Sequence, residues 1–83
     1  MKAIEASDEI LCRFCNLHGG LEAAMPFIAH QFRKYGADFS NPSKEDLLNI
    51  TRELLRILSD CNPQYVVDRE RRKMLGWIRS IDT

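Results

Sequence analysis

Apolar residues recur along the chain at steps of three and four, and the pattern is interrupted at Gly19-Gly20, across residues 36–42 and at Asn62-Pro63. Such spacing predicts amphipathic helices, so three interruptions predict four of them. No run of four or more residues alternates apolar and polar between turn residues. The one β-rich cluster, Tyr65-Val66-Val67, follows a proline suited to a helix start. The expectation is an all-α, small four-helix bundle-like single domain over 1–83, with helices at about 8–18, 21–35, 44–61 and 63–81.

Each helix carries its own signals. The first is expected to be capped by the Ser7 hydroxyl, with Asp8 and Glu9 meeting the positive end of the helix dipole, and to bury Ile10, Phe14 and Leu17. In the second, Leu21, Met25, Ile28, Phe32 and Tyr35 fall on one stripe about 80° wide, expected to be core. Pro26 implies a kink or a late start there. The third opens on Ser43-Lys44-Glu45-Asp46, a capping box with the shorter acid. Its Leu47, Leu48, Ile50, Leu54, Leu55, Ile57, Leu58 and Cys61 cover an arc of about 180°, with Asn49, Arg52, Glu53, Arg56 and Asp60 opposite. So broad an arc touches more than one neighbour. The helix is either the centre of the bundle or is shared with a second copy.

The fourth helix is expected to use Asn62 as cap and Pro63 as first residue, with Val67, Met74, Ile78 and Ile81 aligned. Residues 68–73 read Asp-Arg-Glu-Arg-Arg-Lys and offer no apolar side chain for two turns. Either the stem of Arg71 covers that gap or the stretch projects beyond the bundle.

Size sharpens the question of partners. A chain of 83 residues and 9.6 kDa is expected to fold with a surface of roughly 5,100 Å², a marginal core that small domains commonly supplement with a disulfide, a metal or a partner subunit. Three cysteines and carboxylates near the N-terminus predict free thiols in a reducing, cytoplasmic setting. No apolar stretch approaches the roughly 18 residues that would span a bilayer. Twelve basic and twelve acidic residues cancel, which argues against a general polyanion binder. Charge is nonetheless segregated, at net −2 over residues 1–30 and net +2 over residues 62–83.

Candidate chemistry is sparse. Cys12, Cys15 and His18, with Cys61, match the ligand types and number of a zinc site. On a continuous helix, however, Cys12 and His18 lie about 9 Å and 120° apart, so the set closes on one ion only if the helix stops before His18. A redox role for the same cysteines lacks a helix N-terminus, and no haem attachment pattern is present. The two histidines, His18 and His30, have no orienting carboxylate in view, and no nucleophile elbow, zinc-protease motif or phosphate loop occurs. The chain therefore reads as non-catalytic, with no cofactor and no small-molecule substrate.

Two binding roles remain. The first is a helical protein-interaction or regulatory module, self-associating as a homodimer, with Phe27, Leu48, Leu55 and Trp77 as contact residues near the edges of their apolar stripes. The alternative is a nucleic-acid-binding regulator, because Arg69, Arg72, Lys73 and Arg79 fall within about 120° on the fourth helix. The same cationic face also fits ordinary pairing on a solvated surface, Asp68 with Arg72 and Glu70 with Lys73.

Overall fold

The computed structural model describes residues 1–82, with Thr83 outside them, and contains α1 (Ala3–Leu17), α2 (Leu21–Tyr35), α3 (Lys44–Ser59) and α4 (Gln64–Arg79). No strand occurs among the described residues. The arrangement is the all-α, four-helix bundle-like domain that the periodicity predicts.

The third helix is central. Its Ser43 hydroxyl accepts the Asp46 N–H at 3.1 Å, which satisfies one of the free amides of the first turn. Beyond the cap, Leu47, Ile50, Leu54, Leu55 and Leu58 are all buried, and α3 packs against α1, α2 and α4. Most of the apolar arc is thus covered by three neighbours of the same chain, while Leu48 and Ile57 are half-buried and Cys61 lies beyond the end of the helix and is exposed. The buried part of the arc is accounted for within one chain, and Leu55, at 3% exposure, is part of the core.

The first helix begins earlier than expected. Ser7 is buried inside it, while Lys2 donates its backbone N–H to the Glu5 carboxylate at 3.0 Å. The cause is tertiary. The Met1 amino group donates to the Ser80 carbonyl at 3.0 Å and to the Asp82 carboxylate at 3.2 Å, and the Asp82 N–H donates to the Met1 carbonyl at 3.1 Å. The chain start is therefore tied to the end of α4, and the helix extends to meet it. At its other end, the Gly20 N–H closes on the Cys15 carbonyl at 2.8 Å while Gly19 takes φ +83°, the left-handed geometry that ends helices and favours glycine.

The second helix starts at Leu21, so Pro26 lies in its second turn and does not mark a late start. The predicted stripe is buried at Ile28 and Phe32, half-buried at Met25 and Tyr35, and open at Leu21, which is 65% exposed. Leu21 lies where the chain has just turned out of α1 and no neighbour covers it. Ala24 and Gln31 complete the buried side.

Between α3 and α4, Pro63 stands just outside the helix, and Asn62 does not cap it. The Asn62 amide instead donates to the Leu58 carbonyl at 3.1 Å and to the Leu17 carbonyl at 3.4 Å, joining the ends of α3 and α1. The radius of gyration is 11.7 Å, against about 11.8 Å expected for this length, and the surface is 4946 Å². Residues 68–73 therefore do not project from the bundle. Their core position is filled by Glu70, which is fully buried three residues after Val67 and four before Met74.

Candidate functional site

A carboxylate in an apolar core is costly unless it is paired, and Glu70 is paired with Arg13 of α1. The Arg13 Nε donates to one Glu70 oxygen at 2.9 Å, and an Nη donates to the other at close range, which makes a two-pronged bridge. Hydrogen bonding from Arg13 holds the Glu70 carboxyl below its ordinary range, against burial, which pushes it up. The same bond raises the Arg13 guanidinium further above its already high value. Together with the clasp between Met1 and Asp82, this pair fixes α1 antiparallel to α4 in one register.

The bridge also decides what remains on the surface. The cation of α1 and one anion of α4 are consumed inside, so the exteriors of the two helices carry opposite signs. On α4, Arg69, Arg72, Lys73 and Arg79 are exposed, with Tyr65 73% exposed beside them. The predicted neutralising pairs do not form. Asp68 pairs with Arg71 at 2.8 Å, Glu70 points inward, and Arg72, Lys73 and Arg79 have no ion-pair partner among the described residues. Arg69 lies 3.6 Å from a Glu70 oxygen. On α1, Glu5, Asp8 and Glu9 are exposed.

A second cationic region, unforeseen from the sequence, lies on the other side of α4. Arg52 and Arg56 of α3 and Arg71 of α4 line an open cleft of about 530 Å³, with Leu55 and Leu75 contributing apolar walls. Arg56 is 3.6 Å from Glu53, whereas Arg52 has no ion-pair partner among the described residues. The available signal was the i, i+4 spacing of the two arginines, which the helical wheel placed on the polar side without indicating what faced them.

The predicted contact residues differ in burial. Phe27 is 41% exposed and meets the His18 ring edge-on at 4.6 Å, Leu48 and Trp77 are half-buried, and Leu55 is enclosed. Of the four, Phe27 alone is exposed. The cysteine and histidine set is not brought together, since no cluster of three such donors able to hold a metal exists among the described residues. The His18 ring stacks on Phe14 at 5.1 Å, Cys12 and Cys61 are exposed, and burial pushes the Cys15 thiol up, which disfavours the thiolate that a metal needs. The three cysteines are free thiols. No helix among the described residues is long and apolar enough to cross a membrane. The chain matches no family model, and no curated protein or solved structure is significantly similar to it.

Proposed function

We propose that the chain is a non-catalytic interaction module that self-associates through the α1–α4 side, the basic face of α4 meeting the acidic face of α1 in a second copy. The observation that carries this reading is the opposition of sign on two adjacent antiparallel helices: Arg69, Arg72, Lys73 and Arg79 on one, Glu5, Asp8 and Glu9 on the other, all exposed. A two-fold axis along the seam between these helices lays α1 of each copy over α4 of the other, antiparallel, so both halves of the interface are the same contact. Complementary charge of this kind sets register and association rate, and it weakens with salt.

Sedimentation of the full chain at micromolar concentration tests the reading. A dimer at low salt that dissociates towards physiological salt, and that is lost in Arg72→Glu/Lys73→Glu, is the expected result. A strict monomer at low salt, or a dimer indifferent to both changes, overturns it.

One observation favours a second reading, nucleic-acid binding, namely that Arg72, Lys73 and Arg79 have no ion-pair partner among the described residues. Against it, α1 packs beside α4 and exposes Glu5, Asp8 and Glu9, negative charge that disfavours a polyanion on that side. Duplex binding with a steep salt slope, flattened by alanine at Arg69, Arg72 and Lys73, would establish this alternative.

A further inference from the structure

We propose that the cleft between α3 and α4 is a binding site for a phosphate monoester carried on an apolar group. This inference is independent of the self-association reading, because it uses a different side of the molecule. Arg52 and Arg56 line the cleft from α3 and Arg71 lines it from α4, so three exposed arginines from two helices share one open cleft. Guanidinium forks match phosphate oxygens two at a time, which suits a dianion better than a single carboxylate.

Two of the donors are held in place. Asp68 accepts from Arg71 at 2.8 Å and from the Gln64 amide at 2.9 Å through the same oxygen, fixing both side chains at the cleft edge while Arg71 keeps further N–H groups free. Ser59 also lines the cleft, but its hydroxyl proton is given to the Arg56 carbonyl at 2.6 Å, so it is not counted as a donor to the anion. Asp68 and Glu53 contact Arg71 and Arg56 without lining the cleft, and no carboxylate is among the lining groups.

Arg56 lies 3.6 Å from Glu53 and Arg71 2.8 Å from Asp68, so Arg52 is the lining arginine without a carboxylate partner among the described residues. Like charges at i, i+4 weaken an isolated helix, and Arg52 and Arg56 stand at that spacing with Arg71 facing them. An anion between them removes that repulsion. The walls specify the rest of the ligand: half-buried Leu75 gives the cleft an apolar side, with an edge of the otherwise buried Leu55 behind it, and its volume of about 530 Å³ exceeds what a bare phosphate fills.

The test is a nitrogen–proton NMR titration of the full chain, including the arginine Nε–H signals, at about pH 7.5, where a phosphate monoester with second pKa near 6 is a dianion. The probes are phenyl phosphate, inorganic phosphate and phenol. Saturable shifts are expected at Arg52, Arg56, Arg71 and the Leu55 and Leu75 amides, with phenyl phosphate roughly tenfold tighter than inorganic phosphate because its ring meets the apolar walls. Phenol alone should leave the spectrum unchanged. Arg52→Gln/Arg56→Gln, with helicity checked by circular dichroism, should weaken phenyl phosphate roughly tenfold or more, the loss of charge-assisted contacts. Arg72→Glu/Lys73→Glu should leave that binding in place, which separates this site from the face of the self-association reading. Shifts that do not saturate, that are centred on Arg69, Arg72, Lys73 and Arg79, or that persist in Arg52→Gln/Arg56→Gln overturn the proposal, as does equal affinity for the two phosphates.

Discussion

Replacing Arg13 with Met leaves the Glu70 carboxylate fully buried with its two-pronged partner gone. Removing one member of a buried ion pair costs about 3–5 kcal/mol, because the remaining charge stays desolvated. Here the lower end, about 3 kcal/mol, is expected, since the Arg13 side chain is 34% exposed and water already screens part of the bond. A domain of this length holds about 4–12 kcal/mol in total, so the loss is a large share of the whole.

The dependence on pH gives a second, sharper reading. In the native chain the Glu70 carboxyl is held low, so the stability it brings is present above the unfolded pKa of about 4.3 and is lost as pH falls through the folded value. Without Arg13, burial becomes the dominant influence and the carboxyl moves up. In that variant stability should fall as pH rises above about 4.3, the opposite trend. Urea unfolding followed by circular dichroism between about pH 3 and pH 8 measures both effects. Parallel pH curves for the two proteins, or a loss below about 1 kcal/mol at neutral pH, would refute the reasoning about this pair. Exchanging both partners for apolar residues, Arg13→Met with Glu70→Leu, should recover the loss and leave stability equal to or above the native value by about 1–4 kcal/mol.

Three further outcomes follow from single sites. Thr51→Val should stabilise by about 1 kcal/mol in the same unfolding assay, because the Thr51 hydroxyl is buried without a hydrogen-bond partner and valine keeps its shape. Gly76→Ala should stabilise by up to about 1 kcal/mol, since a Cβ there meets nothing within 4 Å and the position is inside a helix; a loss of stability would count against the geometry. Ser43→Ala should cost about 1 kcal/mol through loss of the cap on α3, with no change in the phenyl phosphate titration.

Sequence periodicity reached the helices and most of the core because burial at α3 and α4 follows local spacing: Leu47, Ile50, Leu54 and Leu58, or Val67, Met74 and Ile78, are legible from their own helix alone. It failed where a distant group decides the outcome. Ser7 looked like a cap because nothing local reveals that Met1 is held by Ser80 and Asp82. Asn62 looked like a cap for α4 because its contact is with Leu17, 45 positions away in the sequence. Leu21 fits the stripe of its helix and is exposed because no neighbour reaches it. Glu70 was hidden for a chemical reason: a hydrophobicity pattern treats an acid as a surface residue, and only Arg13, 57 positions away, makes it a core one. The cleft was equally out of reach, since it is made by two helices whose facing sides the sequence does not specify.

The buried pair and the surface are two consequences of one placement. Were Glu70 turned outward, it would stand among Arg69, Arg72 and Lys73 and dilute the only face of α4 that carries cations without partners. Were Arg13 released, it would add a cation beside Glu9 on the acidic side of α1. By bonding to each other these two residues fix the antiparallel register of α1 and α4 and leave the α1 exterior acidic and the α4 exterior mostly cationic, with Asp68 as its one partly exposed acid among the described residues. Either interaction with water alone would be less costly than burying the charges, so stability is a weak reason for the arrangement. Register and surface polarity account for it together, and they are separable. The double apolar variant removes the pair while leaving Glu5, Asp8, Glu9, Arg69, Arg72, Lys73 and Arg79 in the chain. If that variant folds in the same register, the salt-sensitive association proposed above should be found in it as in the native chain, and the contact between copies would then belong to the outward charges and not to the bridge beneath them; association in the native chain but not in the variant would refute that assignment.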